Sequence, residues 1–314
     1  MWAMQYHRYG AADVIQREEA AAPTLATDEV LVRTTSSGVS AIDLMYRAGQ
    51  LRIHGFGFPK QPGFDALGQV VESRNPAIRP GTWVWTVLGL EPRRTRGTAV
   101  ELLTLDPSRV GVFPDDFVPD PTVGSLPLGA LTALKSLRDI ARLQRGERVL
   151  IVGAGGAVGT AAVQLATILG ARADAVCGAK GLELCAALGA EQVVDHADAD
   201  VQAIQHGHAY DVVLVAAGRG TDWLDAVRPG GRMVLTRLDT WVAGLPAAWR
   251  GRVRTLGVAA GHDSGDLTWL AQQVAAGGLR PTVGVTYPMT DLARAHADYG
   301  HGGTAGARLI VHAT

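Results

Sequence analysis

The residues with the clearest chemical signature are the small ones in the segment VGAGGAVGT, residues 152–160. Ala154, Gly156 and Gly159 have the spacing A-x-G-x-x-G, directly after an apolar run and at the start of a helical pattern. That order suits a strand that turns tightly into a helix and lets a diphosphate approach the backbone. The N–H groups and partial positive charge at the helix start would then bind the phosphates. The segment predicts a dinucleotide site formed by Gly153, Ala154, Gly156, Ala157, Val158 and Gly159.

The residues at the end of the next strand indicate whether the site binds NAD or NADP. A site for NAD places an acid there for the ribose 2′-hydroxyl, but the strand RADAVC ends at Cys177 and is followed by Gly178. Lys180 follows where a cation could meet a 2′-phosphate, and His196 could reach the same corner; a solvated lysine and a surface histidine are the alternatives. The pattern favours NADP(H). The remaining predicted contacts of the cofactor are Gly178, Lys180, His196, Ala217 and Thr236.

The elements around this turn indicate an α/β protein of two parts. From Arg148 onward strands alternate with helices, with strand segments at 148–154, 172–177, 192–196, 211–218 and 231–238, and a sixth at 254–261. This alternation predicts a doubly wound parallel sheet with right-handed crossovers. Before residue 120 the chain has short strands separated by Pro and Gly. A helix is predicted over 128–143, and the tail should form a helix over 264–279 and a strand over 307–313.

Composition excludes several classes of protein. The chain has 314 residues, 47% of them hydrophobic and 19% charged, with a net charge of −1. These values are typical of a soluble globular protein and give no field that would attract nucleic acid or an acidic membrane. Cys177 and Cys185 have neither a disulfide framework nor a metal-type spacing. Without a signal peptide or an apolar span of about 18 residues, a cytoplasmic location is expected.

Several motifs, in one order, resemble the medium-chain dehydrogenase/reductase superfamily and specifically its zinc-free, quinone oxidoreductase-like branch. They are DEVLVRTTSSGVSAIDLMYRAG, PGFDALGQVVE, LPLGALTALKSL, ERVLIVGAGGAVGTAAVQLA, LGAEQVVDH and DVVLVAAG. The resemblance implies a GroES-like β-rich catalytic domain plus a Rossmann domain with a doubly wound parallel sheet. Residues 1–120 and 262–314 would form the catalytic domain and residues 121–261 the NADP-binding domain. It also implies an active site in the cleft and a homodimer formed through the strand at 254–261.

The resemblance also bears on metal binding. The zinc branch of the superfamily places a Cys where this chain has Ser40, a His at Phe64, and its third ligand at about Leu128. Serine, phenylalanine and leucine cannot supply the S, N or carboxylate donors of a catalytic zinc site. Two cysteines are also too few for the four-cysteine lobe of a structural zinc. We therefore expect no metal site.

Without a metal, hydride can still move from nicotinamide C4 to an electron-poor carbon of a small-molecule quinone or α,β-unsaturated carbonyl. The resemblance places Ser40, where relatives have Asn, and Thr132 beside the nicotinamide. Ser40 could donate one hydrogen bond to the substrate, and the alternative for both hydroxyls is a bond to nearby backbone. Asp43 is expected to organise the loop.

The proton donor has two candidates, a histidine and solvent. Relatives carry tyrosines where Met45 and Leu51 stand, so His54 is the nearest titratable substitute and solvent is the alternative.

Two other features leave alternatives open. The loop with Arg93, Arg94 and Arg96 is either a solvated charged loop or an entrance for an anionic substrate. Trp83 and Trp85 should share one face of a strand, whereas Trp241 could equally line the substrate pocket.

The predicted function is NADPH-dependent reduction of an enone or quinone. The alternatives are a dinucleotide-binding protein without redox turnover (a sensor, a scaffold or a cyclase-like catalyst) and a tailoring enoyl reductase acting on a carrier-bound or polycyclic substrate.

Overall fold

The computed structural model describes residues 1–51, 57–89, 95–236, 263–300 and 303–312. Its contacts divide the chain into two compact units. The β-rich unit comprises Met1–Leu128, Ala259–Gly302 and Ala307–Thr314, and the parallel-sheet unit comprises Gly129–Val258 and Gly303–Gly306. The boundary expected at residue 120 therefore lies inside the β-rich unit. The short segment Gly303–Gly306, expected in the catalytic domain, belongs to the parallel-sheet unit.

Strands β1–β14 and helices α1–α7 are numbered here in chain order. In the β-rich unit the strands are β1 (Trp2–Gln5), β2 (Gln16–Glu19), β3 (Val30–Val39), β4 (Asp65–Ser73), β5 (Trp83–Val87), β6 (Leu102–Leu105), β7 (Val110–Val112), β13 (Val283–Pro288) and β14 (Ala307–Val311). Its helices are α1 (Ala41–Arg47), α6 (Ser264–Ala275) and α7 (Leu292–Gly300). Among the described residues, β13-β14-β3-β4-β5-β7 form one sheet in that order, β6 pairs with β3, and β1 pairs with β2.

The core of the β-rich unit is built from the alternately buried residues at the start of β3 and from the almost wholly buried β5. Val30 and Val32 on β3 are buried, as is Trp85 on β5. The Trp85 indole Nε1 donates to the carbonyl of Leu267 at 3.0 Å, and its ring meets Phe113 edge to face at 4.9 Å between centroids. Trp85 therefore belongs to the core, which satisfies its one polar atom.

The C-terminal strand is fixed to β3 by a histidine. Strand β14 pairs antiparallel with β3, and His312, just beyond it, is 2% exposed. Its Nδ1 lies 2.8 Å from the Thr34 hydroxyl and its Nε2 3.0 Å from the Ser37 hydroxyl. Burial lowers the pKa of His312 to about 4, so the ring is neutral and can be a donor at one nitrogen and an acceptor at the other.

The parallel-sheet unit has the predicted doubly wound topology. Its strands are β8 (Arg148–Val152), β9 (Arg172–Cys177), β10 (Gln192–Asp195), β11 (Tyr210–Val215) and β12 (Val227–Leu235), and its helices are α2 (Pro127–Leu134), which begins at the boundary, α3 (Ala157–Ile168), α4 (Leu182–Ala187) and α5 (Val201–Gln205). The order is β10-β9-β8-β11-β12 and all pairs are parallel. Strand order reverses beside β8, where such sheets bind ligands.

Ion pairs stabilise the amino-terminal edge of this sheet. Arg148, the first residue of β8, lies 2.5 Å from the carboxylate of Asp174 on β9. Asp174 is 1% exposed and also accepts from the Tyr210 hydroxyl at 3.0 Å. Asp174 therefore links neighbouring strands of the sheet. It does not lie at the carboxyl end of β9, where an acid that binds the ribose 2′-hydroxyl would be needed.

The helix predicted over 128–143 changes its geometry partway. Residues Lys135–Ile140 follow α2 as a π-helical turn, in which the Ala141 N–H reaches back to the Ser136 carbonyl at 2.9 Å. Arg142 then has φ +50° and ends the segment. The apolar spacing of a π turn is too close to that of an α-helix to be predicted from so short a stretch.

Candidate active site

The glycine-rich turn after β8 is fixed by close backbone contacts. Gly153 has φ +79°, and its N–H donates to the Val176 carbonyl at 2.9 Å. A Cβ on Gly159 would lie 2.3 Å from the Gly153 carbonyl oxygen, so the start of α3 touches the turn directly. These two glycines are required by the fold of the turn itself.

Gly156 is different, because the protein leaves room for a side chain there. Among the described residues, a Cβ on Gly156 would meet only the Gly153 carbonyl oxygen, at an ordinary 3.6 Å. Gly156 is the N-cap of α3, has extended φ and ψ of −90° and 174°, and makes no side-chain capping hydrogen bond. The first N–H groups of a helix have no acceptor within the helix. This uncapped end, with open space beside Gly156, fits the diphosphate of a dinucleotide.

A segment that sequence analysis did not connect with the turn lies against it. The Gly306 N–H donates to the Gly155 carbonyl at 2.8 Å. A Cβ on Gly303 would lie 3.9 Å from the ammonium of Lys180. The segment Gly303–Gly306 therefore extends from the phosphate turn to the side of Lys180, a contact between residues too far apart in the sequence for a local pattern to indicate.

The corner expected to hold the 2′-phosphate carries cationic and small residues. The His196 Nδ1 lies 3.1 Å from the Cys177 carbonyl and 3.3 Å from a carboxylate oxygen of Asp195, while its side chain is 67% exposed. A Cβ on Gly178 would meet the His196 ring at 3.4 Å. Lys180 is exposed in the short helical turn Ala179–Gly181. The structure thus brings Gly178 and His196 into contact, with Lys180 two residues beyond Gly178.

The two cysteines lie beneath this corner. Their Sγ atoms are 3.9 Å apart and both residues are buried. Burial raises the pKa of Cys177 and raises that of Cys185 to about 12. Both thiols are therefore protonated at neutral pH, which is the inert condition of cysteines in a core.

Ala217 and Thr236 lie at the carboxyl ends of their strands, close to the turn. The N–H and the hydroxyl of Thr236 both reach the Val215 carbonyl, at 3.1 and 3.3 Å. A Cβ on Gly153 would lie 2.6 Å from that of Ala217. The carboxyl edge of the sheet therefore carries the predicted turn together with the two later positions, as expected for a doubly wound nucleotide-binding unit.

In the β-rich unit, Ser40 stands between β3 and α1 and is bound to Asp43. Ser40 is the N-cap of α1. Its N–H donates to Asp43 Oδ2 at 2.8 Å and its hydroxyl donates to the same oxygen at 2.6 Å. The Gly63 N–H donates to Asp43 Oδ1 at 3.1 Å. Asp43 thus organises the loop and also takes the hydroxyl hydrogen that we had expected Ser40 to offer to a substrate.

The positions that hold zinc in the zinc branch are apolar here and lie together. Phe64 and Leu128 share a cluster with Tyr46 and Leu51, and the rings of Tyr46 and Phe64 meet edge to face at 5.7 Å. Within the described ranges, no group of three or more His, Cys, Asp or Glu side chains could hold a metal ion. The side chains at these positions therefore lack the donors that zinc requires.

Asp65, next to Phe64, is a buried carboxyl that sequence analysis passed over. It accepts the N–H of Gly38 and the N–H of Leu128, each at 3.0 Å. Burial, with a smaller contribution from the nearby Asp43 and against the opposing effect of the backbone donors, raises the pKa of Asp65 to about 7. Asp65, the first residue of β4, therefore connects β3 with Leu128 in the first turn of α2. An acid directly after an apolar residue in PGFDALG was the available signal.

Lys60 is a second unpredicted feature, because it is 0% exposed. Its ammonium lies 3.3 Å from the Tyr46 hydroxyl and 5.0 Å and 5.5 Å from the ring centroids of Tyr46 and Phe58. Aromatic faces attract a cation, and the attraction grows when water is excluded. Nothing in the segment FPKQPG predicts this burial, since lysine is among the residues most often exposed.

Several predicted features lie outside the described ranges: His54, Arg93, Arg94, Trp241 and the strand at 254–261. Their roles stay predictions. Arg96 is described, and its guanidinium donates to the Thr104 hydroxyl at 3.0 Å. Thr132 lies within α2 and is 6% exposed.

Comparisons with known families agree with this architecture. A family model described as an alcohol dehydrogenase GroES-like domain matches residues 26–115, and one described as a zinc-binding dehydrogenase matches residues 188–310. In structure, the chain is similar to the quinone oxidoreductase from Coxiella burnetii, with a TM-score of 0.85, 23% identity and 99% of each chain covered. It is also similar to a mycobacterial protein in complex with NADPH, with a TM-score of 0.82, 24% identity and 99% of each chain covered. These similarities establish the fold.

Two sequence relatives indicate the branch of the family. A quinone-oxidoreductase homolog from spinach chloroplasts is 32% identical over 71% of this chain and 70% of its own length. A 2-methylene-furan-3-one reductase from tomato is 28% identical over 75% of this chain and 62% of its own length, so the chain spans less than two thirds of that enzyme. The chain belongs to the medium-chain dehydrogenase/reductase superfamily, in its zinc-free, quinone oxidoreductase-like branch, and so to a family of oxidoreductases that bind nicotinamide dinucleotides.

Proposed function

We propose that this chain is an NADPH-dependent, zinc-independent reductase of activated C=C bonds or quinones. The observation that carries the proposal is the turn from Gly153 to Gly159, which leaves open space beside Gly156 at an uncapped helix start. A bound dinucleotide would be held there by the N–H groups of Ala157 and Val158. Bound there, it supplies a hydride from nicotinamide C4 to an acceptor.

The preference for NADPH is supported by the charge at the end of β9. Cys177 and Gly178 stand where an NAD site has an acid, and the exposed Lys180 follows. We place the 2′-phosphate between Lys180 and His196, whose Nδ1 is turned to the Cys177 carbonyl and whose other ring nitrogen is left for a ligand. The Lys180 ammonium binds a phosphate by charge-assisted hydrogen bonds.

Zinc independence is supported by the chemistry of Ser40, Phe64 and Leu128, none of which is a zinc donor. The acceptor must then be electrophilic without a Lewis acid, as enones and quinones are. When hydride adds to the β-carbon of an enone, the π electrons move to the carbonyl oxygen, and one proton from the protein or from water completes the saturated ketone. One sequence relative is named a 2-methylene-furan-3-one reductase and another a quinone-oxidoreductase homolog, and both names are consistent with these acceptors.

The protein's part in this reaction is to hold the acceptor and its charge. We assign Ser40 and Thr132 to the nicotinamide end of the site and keep His54 as the predicted proton donor. We also expect a small-molecule substrate and a homodimer formed through residues 254–261. No helix among the described residues has the length and apolar character needed to cross a bilayer.

The test is NADPH oxidation, followed anaerobically with a series of quinones and cyclic enones, and repeated with NADH. C4-deuterated NADPH should deliver deuterium to the β-carbon of the reduced enone, and activity should survive a chelator with no zinc in the protein. Tight NADPH binding with no hydride transfer to any acceptor would instead favour a dinucleotide-binding protein without redox turnover. Activity that a chelator abolishes and zinc restores would disprove the metal-free mechanism.

A further inference from the structure

The position of the hydrogen on the neutral His196 ring is fixed by the groups around its Nδ1. That nitrogen lies 3.1 Å from the Cys177 carbonyl oxygen and 3.3 Å from a carboxylate oxygen of Asp195. A carbonyl oxygen and an ionised carboxylate are acceptors only, so Nδ1 carries a hydrogen whether the ring is neutral or charged. In the neutral ring the other nitrogen, Nε2, is therefore a bare acceptor.

The His196 ring is open to a ligand. Its side chain is 67% exposed, and both of its polar contacts within the described part of the chain are made by Nδ1. The Cys177 thiol below it is protonated, because burial raises its pKa. On the strand ends and turns that carry and adjoin the ring, the titratable groups are Asp195, Asp198, Cys177 and Lys180. All of these residues belong to the parallel-sheet unit.

The two protonation states of this ring suit two different ligands. A phosphate dianion offers acceptor oxygens only, so a protonated Nε2 can bind it and a bare Nε2 cannot. A ribose 2′-hydroxyl has a hydrogen to donate, which is why NAD sites place a carboxylate beside it. The bare Nε2 of a neutral His196 is an acceptor in the same way, at the end of the two strands where this chain lacks that acid.

We propose that His196 is a specificity-determining residue: its protonated ring binds the 2′-phosphate of NADPH, and its neutral ring accepts the ribose 2′-hydroxyl of NADH. The inference rests on the proposed function, which places the 2′-position of the adenosine between Lys180 and His196. Histidine is the side chain whose charge ordinarily changes between about pH 5 and 8, whereas a lysine ammonium ordinarily keeps its charge above that range. The preference for NADPH over NADH therefore weakens as pH rises.

The test measures the dissociation constants of NADPH and NADH by nucleotide fluorescence between about pH 6.5 and 8.5, where histidine loses its charge. The constant for NADPH should rise about tenfold or more, because a hydrogen bond to a charged phosphate is lost, while that for NADH should stay constant or fall. The second ionisation of a phosphate, near about pH 6, acts in the opposite direction and cannot imitate this rise. Adenosine 2′,5′-bisphosphate, which lacks the nicotinamide half, should show the same rise when its binding is measured by calorimetry.

Variants at position 196 separate titration of the ring from its other contacts. His196→Gln has an amide that donates and accepts at every pH, so the ratio of the two dissociation constants should no longer change with pH. His196→Lys keeps a charged donor and should keep the preference for NADPH at the upper end of the range. His206→Gln is the matched control, because the His206 Nδ1 lies 3.9 Å from a carboxylate oxygen of Asp225 in the same unit and its side chain is 69% exposed. This control should show the pH dependence of the unaltered protein.

Proton uptake is the second measurement. If protonation strengthens NADPH binding, NADPH binding must strengthen protonation by the same factor. Calorimetry in buffers of different ionisation enthalpy should therefore show net proton uptake when NADPH binds near neutral pH. The uptake should be absent for NADH and for the His196→Gln variant.

Two results would overturn the inference while the proposed function stands: a ratio of dissociation constants that is the same at every pH, or one that changes equally in the His196→Gln variant. The expected pH dependence without hydride transfer to any acceptor would support the inference and refute the redox activity. If NADPH does not bind at any pH, the proposed function fails and the inference fails with it.

Discussion

Replacing Gly156 with alanine should distinguish a glycine that leaves room for the cofactor from the glycines that the fold of the phosphate turn requires. At Gly156 the backbone is in an extended region open to any residue, and no atom of the part of the chain that the structure describes lies closer than 3.6 Å to the new Cβ. Alanine restricts the unfolded chain more than glycine, which stabilises by about 0.4–1 kcal/mol. It is also a much poorer N-cap than glycine, which costs roughly 0.5–1 kcal/mol. We therefore expect the free energy of unfolding to change by less than about 0.5 kcal/mol.

The affinity for NADPH should respond quite differently. The methyl group of Gly156→Ala would occupy the space through which a diphosphate reaches the N–H groups of Ala157 and Val158. Loss of one hydrogen bond to a charged phosphate costs about 1.5–3 kcal/mol, and 1.4 kcal/mol is tenfold. The dissociation constant of NADPH should therefore rise roughly 10- to 150-fold, measured by titration of NADPH fluorescence.

Gly159→Ala is the contrasting variant, because its Cβ would lie 2.3 Å from the Gly153 carbonyl oxygen and 2.5 Å from the Ala154 Cα. Overpacking of backbone at this distance should cost at least about 3 kcal/mol, which the gain in helix propensity of about 1 kcal/mol does not offset. Gly265→Ala, where the nearest atom is a carboxylate oxygen at 3.4 Å, is the control for both measurements. Unchanged NADPH affinity in a folded Gly156→Ala protein would refute the assignment of the turn to the diphosphate.

Three further perturbations test other parts of the structure. Lys180→Glu should weaken NADPH binding at least about tenfold more than NADH binding, since only NADPH has a 2′-phosphate; equal effects on both dissociation constants would contradict the assignment. Asp174→Ala leaves a partly buried arginine without its carboxylate and should cost about 3 kcal/mol in urea unfolding, whereas a loss below about 1 kcal/mol would show that the ion pair is screened. Melting temperature should be highest near pH 6–7. Burial raises the pKa of Asp65 from 3.8 to about 7, so between those values the folded state binds more protons and this one group lowers stability as pH rises, an effect complete near pH 7 and outweighed below about pH 6.5 by two histidines. Burial lowers the pKa values of His296 and His312 to about 3 and about 4 from 6.5, so below about pH 6.5 the unfolded state binds more protons and stability falls. A melting temperature that continues to rise up to pH 8 would contradict this balance.

The parallel-sheet unit was predictable because its signals are local. β8 is a run of buried residues, the turn has its glycines at fixed spacing, and α3 ends before Gly170 at φ +80°. Each of these features is decided within a few residues of the chain. Position on the carboxyl edge then follows from the handedness of the crossovers, which varies little among proteins.

Parts of the β-rich unit could not be predicted in the same way. In β13 the inward side alternates as Val283, Val285 and Tyr287, but only Tyr287 is fully buried, so in so short a segment the sequence gives a weak strand signal. α7 has the sequence LARAHADYG, in which the buried face consists of Leu292, Ala295 and a histidine, His296. A buried neutral histidine is read from the sequence as a polar surface residue. The tail therefore has more structure than its pattern indicates.

Residue type alone could not predict whether the Ser40 hydroxyl donates or accepts its hydrogen bond. From the sequence, Ser40 is a hydroxyl that can donate or accept, and the choice depends on Asp43 three residues later. In a strand or a loop those two side chains need not meet. They meet because Ser40 ends β3 and Asp43 falls in the first turn of α1, and because Gly63 supplies a further donor that keeps the carboxylate in place. An isolated serine in place of the family's asparagine is a weakened donor, but a serine bound to a fixed carboxylate is an acceptor. The direction of the hydrogen bond from the Ser40 hydroxyl is therefore set by the fold, which brings Asp43 to it.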